Sequence, residues 1–292
     1  MKKTIYVILG LIMVVATACY DDYKDNFDTS SVYFPFERPV RTVVLPDSTI
    51  EIGVVLGGKR DSDVNEFAYI SLIKDQIPDG GELLPDTHYR MNLPSDSLIE
   101  IKAGDFNGVF EVTFTQAFFD DPKSTGNNYV IPLEIVQYTT DTLLVDQSKT
   151  FVMVKYINEY HGDYFQLGFE DTIAYAYNEG RGNVLSDSLG LFTQFKVSTV
   201  SVDSISVPNV GEGLKIPGET LVLAIADDGS VTGDLIVEKP GVLEIKDLTG
   251  KVHDNKSIVY EYTYSSNGGA DVPVKDSLVY LQNGLSFEEW GE

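Results

Sequence analysis

Apolar residues recur at every second position through most of the chain, the spacing that puts alternate side chains on one face of a strand. Residues 97–101, 108–114, 129–135 and 150–156 carry this pattern in the first half. Further strands are expected at 31–36, 41–45 and 48–56, completing a sandwich of about seven strands. Gly104-Asp105 and the run 125–128 supply turns between them. Residues 115–120 are the one helix expected in this half. No segment of helical period is long enough to cross over between parallel strands, so the sheets are expected to be antiparallel. Pro132, inside one of the strands, is expected at an edge or a bulge because it cannot donate to a ladder.

A second unit follows Ile157-Asn158-Glu159, with strands expected at 160–168, 173–177, 191–197, 199–207, 219–225, 231–238, 241–245, 257–264 and 277–281. Such a run fits a second antiparallel β-sandwich or a barrel-like meander, and periodicity does not choose between them. Asp227-Asp228-Gly229 is read as a hairpin turn, since Asp-Gly tolerates positive φ. A calcium loop there would need alternating oxygen ligands and a distal bidentate Glu, which are missing.

The first residues break the alternation. Lys2 and Lys3 precede an apolar stretch from 5 to 15, and Ala16-Thr17-Ala18 leads into Cys19, the only cysteine. A basic start, a short apolar core and small residues before a cut site define a secretory signal peptide, and a cysteine at the cut makes it a lipoprotein signal. Ala16 stands where the lipobox usually has Leu. Cys19 is the expected lipidation site, and several acyl chains would hold the protein to a membrane without a span. The expected organisation is signal peptide 1–18, acidic tether 19–30, Ig-like sandwich 31–157 and C-terminal β domain 158–292.

Charge narrows the partners. The chain has 21 Lys and Arg against 45 Asp and Glu. Loss of Lys2 and Lys3 with the signal leaves 19 against 45, a net charge of −26. Phosphate backbones would be repelled, so no nucleic-acid partner is expected. With 43% hydrophobic residues the chain buries real cores without disulfides.

Three stretches together resemble a known family: Leu98-Ile99-Glu100-Ile101-Lys102-Ala103-Gly104, Gly108-Val109-Phe110-Glu111-Val112, and Asn128-Tyr129-Val130-Ile131-Pro132-Leu133-Glu134-Ile135. Their order is similar to the Ig-like N-terminal domain, of unknown function, of Bacteroidota surface lipoproteins common in polysaccharide-utilisation loci. Tyr160 to Gly168 resembles the opening strand of the C-terminal β domain that follows it in two-domain members. Asp21-Asp22 and Asp25, just after Cys19, resemble the acidic tag that sends such lipoproteins to the outer face of the outer membrane. The resemblance implies a Sus-type accessory lipoprotein, anchored through Cys19 and facing the cell exterior. An outer-membrane transporter and other surface lipoproteins are its expected neighbours. It brings no catalytic residues and no cofactor.

Enzyme signatures are absent: no His-Glu-x-x-His, no Gly-x-Ser-x-Gly, no Walker loop. His88, His161 and His253 fall singly, so no metal site is expected. The protein is therefore read as a non-enzyme, with a glycoside hydrolase hidden among its many carboxylates as the reading that turnover would revive. Glycans are read by flat aromatic faces beside hydrogen-bonding groups. Tyr260, Tyr262 and Tyr264 share one strand face: a stacking platform if that face is wet, core if it follows Ile258, which argues for core. Tyr175 and Tyr177 pose the same choice. Trp290 lies near the terminus, where packing of a final strand competes with ligand contact. Arg181 and Asn183, in the loop after Tyr177, offer donors for hydroxyls. The expected function is non-catalytic capture of a polysaccharide or oligosaccharide, with the second domain carrying the site. The alternative is a fimbrial or adhesin-type subunit that binds protein, donating a terminal strand from 285–290.

Overall fold

The computed structural model describes residues 29–59, 61–93, 97–176, 194–208, 210–211, 219–237 and 243–291. Cys19, Tyr177, Arg181 and Asn183 lie outside them.

The first domain is a sandwich of two sheets. One has the order β10 (Thr142–Leu143), β1 (Ser31–Tyr33), β3 (Thr49–Gly57), β8 (Asn107–Phe114), β6 (Tyr89–Asn92). The other runs β2 (Val40–Val44), β11 (Lys149–Ile157), β9 (Tyr129–Tyr138), β4 (Glu66–Leu72), β7 (Leu98–Ile101), with β5 (Glu82–Leu83) against β9. Alternation sets the faces: Ile50, Ile52, Val54 and Leu56 of β3 meet Phe110 and Val112 of β8 in a core closed from the other sheet by Ile131, Leu133, Val152 and Val154. The short helix α1 (Gln116–Phe119) sits where helix was expected and buries Phe118.

The expectation of purely antiparallel sheets is corrected here. β2 runs parallel to β11, β1 to β10 and β5 to β9. A parallel pair needs a long connection but not a helix; between β2 and β11 the rest of the sandwich is that connection. Pro132 is corrected too, since β9 is a central strand. The proline lies where one neighbour, β5 at Tyr129 and Val130, gives way to β4 at Leu133, so no ladder bond is forfeited on that side.

The second domain is a barrel, which settles the choice that periodicity left open. β12 (Gly162–Glu170), β14 (Phe195–Ser201), β15 (Ser204–Val207), β16 (Glu219–Ile225), β17 (Ser230–Val237), β18 (Leu243–Val252), β19 (Ile258–Ser266) and β20 (Val272–Gln282) pair in chain order, all antiparallel. β12 returns to pair with β20 from Asp163 to Glu170 and closes the ring. β13 (Ile173–Ala176) extends it against the end of β12. An eight-stranded barrel is just wide enough to be filled by side chains. Tyr164, Val197, Ile205, Leu223, Val231, Ile258 and Leu278 fill this one. Gly229, at φ +78, makes the expected hairpin turn between β16 and β17.

The domains are tied at two places. Asn158, buried at the junction, donates from its amide to the carbonyls of Ser201 and Ser204 at 3.0 and 2.9 Å. Beside it, His161 Nδ1 accepts the Thr199 N–H at 3.1 Å. The second tie is the C-terminal tail, where Val40 N donates to Glu288 O and Trp290 N to Arg38 O, continuing the sheet beyond β2.

Burial, reinforced by Lys196 and Lys155, lowers the His161 pKa from 6.5 to about 4. The ring is therefore neutral in the folded chain, and its contribution is complete above pH 6.5 and lost as pH falls toward 4. Urea midpoints taken from pH 7 to pH 4 should fall more steeply for the native protein than for His161→Gln. Equal slopes would show that the ring does not contribute.

Candidate functional site

The three tyrosines of β19 point into the barrel. Tyr260, Tyr262 and Tyr264 are 0, 4 and 6% exposed, on the same side as Ile258, while Glu261 faces solvent. They form no exposed platform, because strand parity ties them to the core. Two of the three hydroxyls, those of Tyr262 and Tyr264, are used there. Tyr262 accepts the Gly211 N–H at 2.6 Å and donates to Asp276 at 3.1 Å, and Tyr264 donates to Glu170 at 2.7 Å. Burial first, and then the charge of Asp276, pushes the Tyr260 and Tyr262 hydroxyls well above their ordinary pKa. Trp290 is also buried, 6% exposed, against the outer face of the first domain's second sheet. Tyr175 lies on β13.

The histidines serve separate elements. His88 Nε2 lies 3.1 Å from Asp121, which also accepts the Tyr129 hydroxyl at 2.6 Å. That bond holds the Asp121 carboxyl below its usual range, and burial with Asp121 pushes Tyr129 up to about 12. The trio fastens the segment after α1 to β9. His253 belongs to the β18–β19 turn. Among the described residues no group of three or more His, Cys, Asp or Glu is placed to hold a metal.

Opposite parity builds the candidate site. Along β12, Tyr164, Gln166 and Gly168 face inward, so Phe169 faces out, with 53% of its surface exposed. The ladder carries that position across the barrel wall in one row: Phe169 beside Lys275, Lys275 beside Glu261, Glu261 beside Thr249. Next to it, Thr263 pairs with Pro273, whose carbonyl accepts the Asp171 N–H at 2.8 Å. Together these residues line a cleft of about 410 Å³.

A bulge in β18 shapes one wall. The register slips between Lys246 and Thr249, and Asp247 takes φ +55. Asp tolerates this left-handed backbone better than most residues, and the extra residue turns Leu248 into the core while leaving Asp247 at the rim. At the other end of the row Asp171, at φ +51, turns the chain from β12 into β13. The cleft thus presents one exposed aromatic ring, two threonine hydroxyls, three carboxylates and one ammonium, the last paired with Glu261. It suits a ligand with an apolar face and many hydroxyls.

Of Tyr260, Tyr262, Tyr264 and Trp290, Tyr262 alone lines this cleft, from the barrel side. Phe169 was missed, although its signal was available: it has the parity opposite to Tyr164 on one strand.

These features define a two-domain all-β protein in which a sandwich carries a closed barrel. A family model described as an N-terminal domain matches residues 23–142, part of the tether and most of the first domain. A search of curated proteins finds no match. Among solved structures, a Bacteroides ovatus protein of unknown function superposes with a TM-score of 0.72 at 20% identity, covering 90% of this chain and 98% of that one. Both domains are included, so the expected resemblance to two-domain Bacteroidota proteins holds for the fold. An auxiliary nutrient binding protein from Bacteroides thetaiotaomicron aligns with a TM-score of 0.44 at 13% identity, over 82% of this chain and 89% of that one.

Proposed function

We propose that this protein is a non-catalytic, surface-anchored lipoprotein that captures glycan in the cleft around Phe169. The observation that carries the reading is the exposed Phe169 ring standing in a row with Lys275, Glu261 and Thr249 on a rigid barrel wall. A sugar ring stacks its C–H face on an aromatic ring while its hydroxyls bond to polar groups at the sides, and strands hold such groups more firmly than loops do. The lipid on Cys19 and the acidic residues after it would place the cleft outside the cell, with the sandwich as a spacer.

The alternative assembly role loses its obvious donor segment. Residues 288–290 continue the second sheet of the sandwich in the same chain, with Glu289 bridged to Pro39 and Trp290 buried.

The test is affinity electrophoresis of residues 21–292 against plant, host and microbial polysaccharides. Retardation by one class is expected, and Phe169→Ala should weaken it about tenfold, or 1.4 kcal/mol. Because Phe169 is exposed, the stability of that variant should stay within about 0.5 kcal/mol of the parent. Retardation unaffected by Phe169→Ala would move the site elsewhere, indifference to the whole panel would sink the capture reading, and turnover of a retained glycan would make the protein a hydrolase.

A further inference from the structure

Resting on that reading, we infer that the cleft selects uncharged glycans and rejects chains bearing uronate or sulfate. Four charged side chains line it. Lys275 is committed to Glu261 in an ion pair, which leaves Asp171 and Asp247. Neither has an ion-pair partner among the described residues. Both sit on left-handed backbone, Asp171 at φ +51 in a turn and Asp247 at φ +55 in the β18 bulge, so the two carboxylates are set at opposite ends of the row on the walls of the cleft. Lys246, the nearest other cation in sequence, is spent on Asp271 at 2.7 Å.

An anionic chain lying on Phe169 would bring its charges near both aspartates, and among the described residues no unpaired cation lines the cleft to meet them. The overall net charge of −24 adds a repulsive field on approach. At a separation well inside the screening length, about 8 Å at physiological salt, repulsion of this kind survives in solution. A neutral chain meets instead the hydroxyls of Thr249 and Thr263, and carboxylates that accept hydrogen bonds from sugar hydroxyls. The same aspartates therefore attract one class and exclude the other.

The experiment starts from whichever neutral polysaccharide the panel shows to be retarded. Its primary hydroxyls are oxidised to carboxylates, keeping the backbone and changing the charge, and binding is compared at low and high salt. Oxidation should weaken binding at least tenfold at low salt, and high salt should restore part of the loss. The double variant Asp171→Asn, Asp247→Asn should bind the oxidised chain better than the parent does. Asn adopts left-handed backbone as readily as Asp, so this variant keeps the turn and the bulge. Equal binding of the native and oxidised chains, a loss that neither salt nor the Asn variant relieves, or a panel in which only anionic chains are retarded would each overturn the selection while leaving capture intact. Retardation by no glycan at all would overturn capture itself, and this inference with it.

Discussion

Trp290→Ala should lower the free energy of unfolding by about 3–5 kcal/mol, although the residue is third from the end of the chain. The indole packs on Val40, Ile73, Val130, Phe151 and Met153, the face of the second sheet turned away from the main core. Its Nε1 donates to the Phe151 carbonyl at 2.7 Å, and the Arg38 guanidinium lies over the ring, 5.4 Å from its centroid. Gly81 leaves room beneath it, since a Cβ there would stand 3.3 Å from the indole and 2.6 Å from Val130. Removing the ring opens a cavity and uncovers five apolar side chains at once. Ends of chains usually tolerate change, and this one does not because it covers a core. Trp290 is the only tryptophan, so its emission reports on this site alone in the parent protein. Urea unfolding followed by circular dichroism should give the loss. The neighbouring Phe287→Ala, which removes a half-exposed ring tilted against Phe36 with centroids 4.5 Å apart, should cost much less. A Trp290→Ala cost below about 1 kcal/mol would mean that the tail is an ornament of the fold rather than the tie between its domains.

Gly162→Ala should cost about 3 kcal/mol or more. Gly162 opens β12 at φ +153, and a Cβ would fall 2.1 Å from the Gln282 carbonyl oxygen and 3.0 Å from the Asn283 Cα. Both are backbone, so no rotamer change relieves the clash. The register between β12 and β20 slips at the next residue, between Asp163 and Tyr164, which makes this the seam where the barrel closes. Adding one methyl group would force the two strands apart where the ring depends on them. Gly80→Ala is the control. Its φ is +91, but nothing lies within 4 Å of the added carbon, so only backbone strain of about 1–2 kcal/mol is expected. Equal costs for the two substitutions would show that φ, not closure of the barrel, governs Gly162.

What could be read from the chain follows from locality. The period of two located β3, β8, β9 and β11 to within a few residues and placed most strands of the second domain, because facing in or out is a property of neighbouring residues, though the expected strand 199–207 runs through the turn between β14 and β15. Ile258 on the same parity correctly argued that Tyr260, Tyr262 and Tyr264 belong to a core. The strand Glu66–Leu72 went unnamed, and β18 was expected to end at Ile245. A bulge at Asp247 breaks the alternation there, and periodicity cannot continue through a bulge.

What remained hidden depends on residues far apart in sequence. The parallel pairing of β2 with β11 joins positions over a hundred residues apart, and no local pattern records it. Trp290 read as a terminal ring because its cover, from Val40 to Met153, lies in the other domain. The cleft is the clearest case. Phe169, Lys275, Glu261 and Thr249 come from four strands, and only the closure of β12 onto β20 sets them side by side. The sequence by itself determined which side of each strand is apolar, where the chain turns, and the charge the surface must carry, since each follows from residues taken singly or with near neighbours. The tertiary structure alone decided barrel over sandwich, the burial of Trp290, and which outward side chains share a cleft, because each depends on which strand edges meet.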